Sequence, residues 1–306
     1  MTAPTVPRSR QGTLRFLVGY AAILGTFPYL LLKISWVTGG TLGLTDPTLV
    51  DTPEMYAANA FTGGMDAVAI LLALACTHAW GLRLPAALVL FPIWVGTGFL
   101  APLVLAGPLI GMDFLLGANM MAGLASWVTP LVYASFIWQG CTLLTAFVLY
   151  ARVRWARLFT ARAAAGRLTL PGAMGIAIAM VTGCIQVGWA LGVPTGPPGD
   201  RGVAAHAVDA VQGLLTFAVA GAILVLAAGG RRVRVPMVLA WTGSAAMFAQ
   251  GFWGVGSAGA LTGEWSTLLD LSLPLLVHAG QCLAGALLGL ALVRRLAALP
   301  EPAGAP

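Results

Sequence analysis

Apolar residues fill this chain in stretches of about 20, broken by short clusters of Gly, Pro and Arg rather than by regular polar positions. Eight stretches predict helices at Leu14–Trp36, Asn59–Gly81, Pro85–Ala106, Thr129–Tyr150, Pro171–Leu191, Ala207–Ala228, Pro236–Ser257 and Leu273–Val293. A helix that is apolar on every side must be enclosed by protein or by lipid. Lipid offers no hydrogen bonds, so spanning backbone must satisfy itself; long runs select a helical bundle, whereas a barrel would show short alternating strands. The expected fold is therefore all-α, a polytopic membrane bundle of about eight transmembrane helices.

Composition agrees. Charged residues make up 8% of the 306 positions, against about 25% in a soluble domain, too few to cover a water-facing surface. The net charge of +6 would suggest nucleic acid in a soluble protein, but here the basic residues sit between apolar runs, so the bilayer is the expected partner and nucleic acid is not. The first run follows Arg8, Arg10 and Arg15, as a signal peptide's would. It is long for a signal and lacks a small-x-small cleavage site close behind, so it reads as a retained span. Cys76, Cys141, Cys184 and Cys282 lie inside apolar runs without metal-ligand spacing and read as buried small residues.

Charge also predicts orientation. Arg8, Arg10, Arg15, Arg83, the cluster Arg152–Arg167, Arg231, Arg232, Arg234, Arg294 and Arg295 all fall on one side of an eight-helix arrangement. The positive-inside rule makes that side cytoplasmic, along with both termini. Asp46, Asp51, Glu54, Asp66, Asp113, Asp200, Asp209, Glu264 and Asp270 fall in the opposite loops or the helix ends beside them, leaving only Glu301 in the cytoplasmic tail.

The two halves resemble one another. Met65-Asp66-Ala67-Val68 returns as Val208-Asp209-Ala210-Val211, and Lys33-Ile34-Ser35-Trp36 aligns with Gln186-Val187-Gly188-Trp189. Arg83-Leu84-Pro85 matches Arg234-Val235-Pro236, and Thr129-Pro130-Leu131 matches Leu273-Pro274-Leu275. Four helices per half insert both halves the same way round, which implies a parallel pseudo-repeat. The expected organisation is a tail (1–13), a first half (14–150), a basic linker (151–170), a second half (171–295) and a closing tail (296–306).

Ionisable side chains inside spans are functional candidates by default. Lys33, near the outer end of the first helix, and Asp66, in its antiparallel neighbour, are placed to form an ion pair that either fixes packing or serves chemistry. Asp46, Asp51 and Glu54 crowd one loop, where mutual repulsion would raise the pKa of any buried member enough to hold a proton. Asp209 repeats Asp66, with His206 one turn before it. His278 is either a neutral histidine bonded to backbone or a proton shuttle. Together with His78 and His206 it makes no metal site, because His78 lies on the basic side. Trp36 and Trp189 belong to an interfacial belt or, facing inward, wall a pocket that stabilises cations. The intramembrane glutamines Gln139, Gln186, Gln212, Gln250 and Gln281 read as interhelical hydrogen-bonding groups.

An ion-coupled transporter would place carboxylates at the midplane and a channel a polar stripe through the whole span; neither pattern is present. Carboxylic acids, a lysine, histidines and aromatic rings above an apolar interior fit acid-initiated cyclisation of an isoprenoid. In that chemistry an Asp or Glu protonates an alkene or epoxide, and aromatic faces stabilise the carbocation. The stretch Lys33-Ile34-Ser35-Trp36-Val37-Thr38-Gly39-Gly40, followed by Asp46–Glu54 and Asp66, resembles small actinobacterial integral membrane proteins. These include the membrane terpene cyclases of drimentine-type pathways, which cyclise farnesylated indole compounds. The resemblance covers mainly the first two helices and carries over no catalytic residue.

The expectation is a membrane enzyme acting on a prenylated, lipid-soluble substrate without metal or cofactor. Asp66 or Glu54 is the acid, and Asp46 and Asp209 are its electrostatic neighbours. Trp36, Lys33, Trp189, His278 and Asp51 contact the substrate. A small-molecule permease and a non-catalytic scaffold or sensor are the alternatives.

Overall fold

The computed structural model describes residues 10–46, 48, 52–117, 123–197, 201–260 and 272–299. These form eight long helices: α1 (Arg10–Val37), α2 (Pro53–Thr77), α3 (Ala86–Leu115), α4 (Val128–Arg154), α5 (Leu170–Ala190), α6 (Val203–Ala228), α7 (Arg234–Ala260) and α8 (Leu273–Ala297). Seven of them, all but α7, are long and apolar enough to cross a membrane, which makes the chain a multi-pass membrane protein. α7 is as long but carries Thr242, Ser244, Gln250 and several glycines. It packs against α3, α6 and α8, and a helix so enclosed needs less lipid-compatible surface.

The faces of α1 show which solvent the bundle meets. Leu17, Leu24 and Leu31 repeat at heptad spacing and are 58–65% exposed, while Thr26 and Lys33 on the same helix are buried at 3%. Apolar side chains outside and polar ones inside reverse the soluble pattern, as hydrocarbon demands. Cys141 and Cys184 are exposed on the bundle surface, not buried as expected; a thiol is apolar enough to face lipid.

Within the first half α1 packs on α2 and α4, and α4 on α3. Within the second, α5 packs on α6 and α8, and α7 on α6 and α8. α3 joins the halves by packing on α7 and α6. α6 and α7 meet closely at Gly243, where a Cβ would stand 2.5 Å from the Leu215 carbonyl oxygen, whereas α2 and α3 meet only sparsely. The basic linker is not a helix of any length: a single 3-10 turn at Ala156–Phe159 leads into a bridge between Arg162 and Arg232.

Small residues bring the helices close. A Cβ at Gly98 of α3 would stand 2.0 Å from the Ala245 carbonyl oxygen, and one at Gly251 of α7 only 2.4 Å from the Cys282 nitrogen. Asp113, buried near the end of α3, adds a polar tie between halves. Its Oδ2 accepts a 3.0 Å hydrogen bond from the Ala204 amide, so a carboxylate from one half caps the N-terminus of α6 in the other. Gly202 makes room for it, since a Cβ there would lie 2.7 Å from that oxygen.

Gly98→Val is expected to force α3 from α7 and cost about 1–3 kcal/mol. Gly64→Ala, whose added carbon meets nothing within 4 Å, should be neutral or stabilising by up to about 1 kcal/mol. Unfolding in detergent micelles measures both, and equal stability of Gly98→Val and the parent would contradict the α3–α7 packing.

Candidate functional site

Because α2 begins at Pro53 rather than Asn59, Asp66 lies more than three turns inside it, deeper than the sequence implied. Thr52 caps the helix by accepting from the Met55 amide, and Pro53 occupies its first turn. Glu54 therefore belongs to that first turn and not to a loop. Its side chain, and all of Asp51, lie outside the described residues.

Lys33 Nζ donates to Asp66 Oδ2 across 2.7 Å, with both residues buried. Lys33 also stands 3.7 Å from the centre of the Tyr29 ring. A row of rings continues from there: Tyr29 meets Phe136 edge-on at 5.2 Å, Phe136 meets Tyr133 at 6.5 Å, and Tyr133 meets Phe114 at 5.6 Å. All four rings are half-buried, and Tyr133 and Phe114 pack against the cluster that includes Ala204 and Ala207 of α6. The row thus crosses from the ion pair to the junction of the halves. It was not singled out in the sequence, because its members come from three helices and only Tyr133 and Phe136 are neighbours along one of them.

Asp46 is exposed. The backbone amide and hydroxyl of Thr48 both donate to its Oδ1, at 3.0 and 2.7 Å, and hold its carboxyl below the usual carboxylate range. Asp46 is thus an ionised loop residue at neutral pH. The loop itself is tied to the α3–α4 connection, where Thr45 donates to the Gly123 carbonyl and Ala125 to that of Gly43.

Trp36 and Trp189 both turn inward, each one residue before its helix ends. Trp36 Nε1 donates to the Leu42 carbonyl at 2.9 Å, and Trp189 Nε1 to Thr195 Oγ1 at 3.2 Å. They do not wall one pocket: Trp36 packs with Leu32, Val128 and Val132, whereas Trp189 lies beside Thr195 and His206 in the second half.

Asp66 and Asp209 are likewise not one carboxylate pair. Asp209 pairs with Arg201, a residue the charge map passed over, in the connection leading into α6. His206, in the same helix as Asp209 and three residues before it, has its Nδ1 3.0 Å from the Trp189 carbonyl. Below Asp209 the interior of the second half is polar. Gln186 of α5, Gln212 and Thr216 of α6 and Gln281 of α8 are all at least 97% buried.

Neighbouring contacts put these four at one level. A Cβ at Gly183 would touch Thr216, one at Gly213 would touch Val187, and one at Gly280 would touch Thr182. Gln212 Nε2 donates to the Ala246 carbonyl at 3.3 Å. Gln186 Oε1, Gln212 Oε1, Thr216 Oγ1 and His278 Nδ1 find no protein partner, and Gln281 faces His278 without a hydrogen bond of ordinary geometry. Reading the glutamines only as interhelical hydrogen-bonding groups missed this surplus of acceptors. Among the described residues no group of three His, Cys, Asp or Glu side chains could hold a metal ion.

The two best-defined hollows, of about 500 and 220 Å³, open at the arginine-rich end of the bundle and not over Asp66. No protein-family model, no curated protein and no solved structure matches the chain.

Removing either partner of the buried pair strands a charge. Asp66→Leu or Lys33→Met alone should destabilise by about 3–5 kcal/mol, and the double variant should recover most of the loss. Thermal unfolding of the three variants in one detergent reads this directly; additive losses would show that the two charges do not meet.

Proposed function

We propose that this protein is a membrane-embedded enzyme acting on a lipid-soluble, isoprenoid-type substrate by proton-initiated cyclisation, with the Lys33–Asp66 pair as the acidic centre. The observation that supports the reading is the ion pair lying at one end of a row of four half-buried aromatic rings. Sparse packing between α2 and α3 gives an oily molecule a route from the bilayer. Gly63 and Gly64 of α2 and Gly96 of α3 have no atom within 4 Å of where a Cβ would stand.

In this reading Asp66 in its protonated form, held in place by Lys33, passes its carboxylic proton to an alkene or epoxide of the substrate. New carbon–carbon bonds form as the positive charge moves along the chain past Tyr29, Phe136 and Tyr133, whose faces stabilise it. The final cation returns a proton to the Asp66 carboxylate, so the reaction is an isomerisation and consumes no co-reactant. Glu54, in the first turn of α2, is the alternative donor.

The arrangement belongs to an eight-span protein with α7 as the seventh span, both termini cytoplasmic, and halves related as a parallel repeat. Matching features favour the repeat: Trp36 and Trp189 each bond a residue six positions on, and Asp66 and Asp209 each carry a basic partner. Arginines gathered at one end favour the orientation.

A second reading, passage of a small polar solute, is favoured by the unpartnered layer of Gln186, Gln212, Thr216 and His278. The test for the first is purified protein in nanodiscs given farnesylated and geranylgeranylated aromatic substrates, with products resolved by mass spectrometry and NMR. Ring formation is expected, reduced at least about 100-fold in Asp66→Asn and retained in Gln281→Leu. Cyclisation unaffected by Asp66→Asn and by Glu54→Gln would overturn it. Solute uptake into proteoliposomes, lost in Gln281→Leu with no ring formed in either protein, would establish the second reading instead.

A further inference from the structure

At the arginine-rich end of the bundle several basic side chains are bound to backbone carbonyls. Arg15 donates to the Thr77 carbonyl at the end of α2, Arg154 donates to the carbonyls of Gly81 and Leu84, Arg162 to that of Gly230, and Arg295 to those of Gly166 and Arg167. Arg15 thus meets a carbonyl at a helix end, and the others meet carbonyls of the connections after α2 and α6 and before α5. Arg231 and Arg232 do nothing of the kind. Both are exposed, and among the described residues neither side chain has a hydrogen bond or ion pair.

They stand instead at the mouth of the larger hollow, about 500 Å³, between α6 and α7. Its wall is apolar, formed by Gly221 and Val225 of α6 and by Val235 and Leu239 of α7. Val235 and Leu239 are 67% and 40% exposed on the face that hydrocarbon covers. Gly221 keeps the groove open, since nothing lies within 4 Å of where its Cβ would stand. α7 starts at Arg234, so the positive end of its dipole adds to the two guanidinium groups.

An apolar groove that runs along two membrane helices and ends in unpaired cations has the polarity of one molecule turned inside out: an acyl chain ending in a phosphate. We propose that the α6–α7 groove is a binding site for an anionic phospholipid, one acyl chain lying against Gly221, Val225, Val235 and Leu239 and the phosphate held by Arg231 and Arg232. The volume falls within the range of about 300–1,000 Å³ usual for small-ligand sites. The site is independent of the Lys33–Asp66 centre, which lies toward the other end of the bundle.

Native mass spectrometry of the delipidated full chain, titrated with phosphatidylglycerol and phosphatidylcholine of identical acyl chains, tests this. The parent protein should bind phosphatidylglycerol roughly tenfold or more in preference to phosphatidylcholine. Arg231→Gln/Arg232→Gln should bring phosphatidylglycerol down to the phosphatidylcholine level while leaving phosphatidylcholine unchanged. Gly221→Leu, which fills the groove without altering charge and has room to fold, should weaken both lipids. Equal binding of the two lipids by the parent would overturn the proposal. So would a headgroup preference that survives loss of both arginines, or lipid retention indifferent to Gly221→Leu.

Discussion

Hydrocarbon cannot answer a hydrogen bond, and every feature of this bundle follows from that. Backbone groups are satisfied along the helices; polar side chains turn inward, and leucines that a soluble protein would hide face outward. Carbonyls at a helix end and in the short connections must still be met, and arginines from distant positions reach back to meet them. Where a helix begins inside the assembly, a carboxylate from another helix does the same service, as Asp113 does for α6. Isolated charges in such a medium are costly enough that Lys33 and Asp66, and Arg201 and Asp209, occur as pairs.

The two halves meet this demand differently. The first buries Asn59, Thr97, Asp113 and Gln139 at separate places and sets one ion pair beside aromatic rings, whose faces tolerate positive charge. The second spreads polarity over a layer of amides, a hydroxyl and an imidazole, several of which have acceptor capacity left over. The two groups of helices on either side of α3 thereby carry unlike interiors, and the sparse α2–α3 contact has no counterpart between α6 and α7, which touch closely at Gly243.

The helices were legible because their signal is continuous: some 20 apolar residues in a row leave little choice of structure. Their ends were less so. α2 starts six residues before Asn59 because Thr52 and Pro53 make a helix start inside what composition marked as loop, and α3 runs on past Ala106 to Leu115 through Pro108. The Lys33–Asp66 contact could be anticipated from antiparallel register alone. The aromatic row and the amide layer could not, since each draws four residues from three helices and only packing brings those helices together. Separation of the tryptophans, and of Asp66 from Asp209, was hidden for the same reason: equivalent places in two halves need not be neighbours.

The arginines that meet these carbonyls have a consequence for how this chain can be manipulated. Arg15, Arg154 and Arg295 supply positive charge at one end, and they are also structural plugs for open carbonyls. A topology experiment that neutralises such residues to flip the protein would loosen those segments in the same stroke. A reversed insertion and a loosened one would then look alike to any reporter fused at a terminus. Here the address label and the rivet are one side chain.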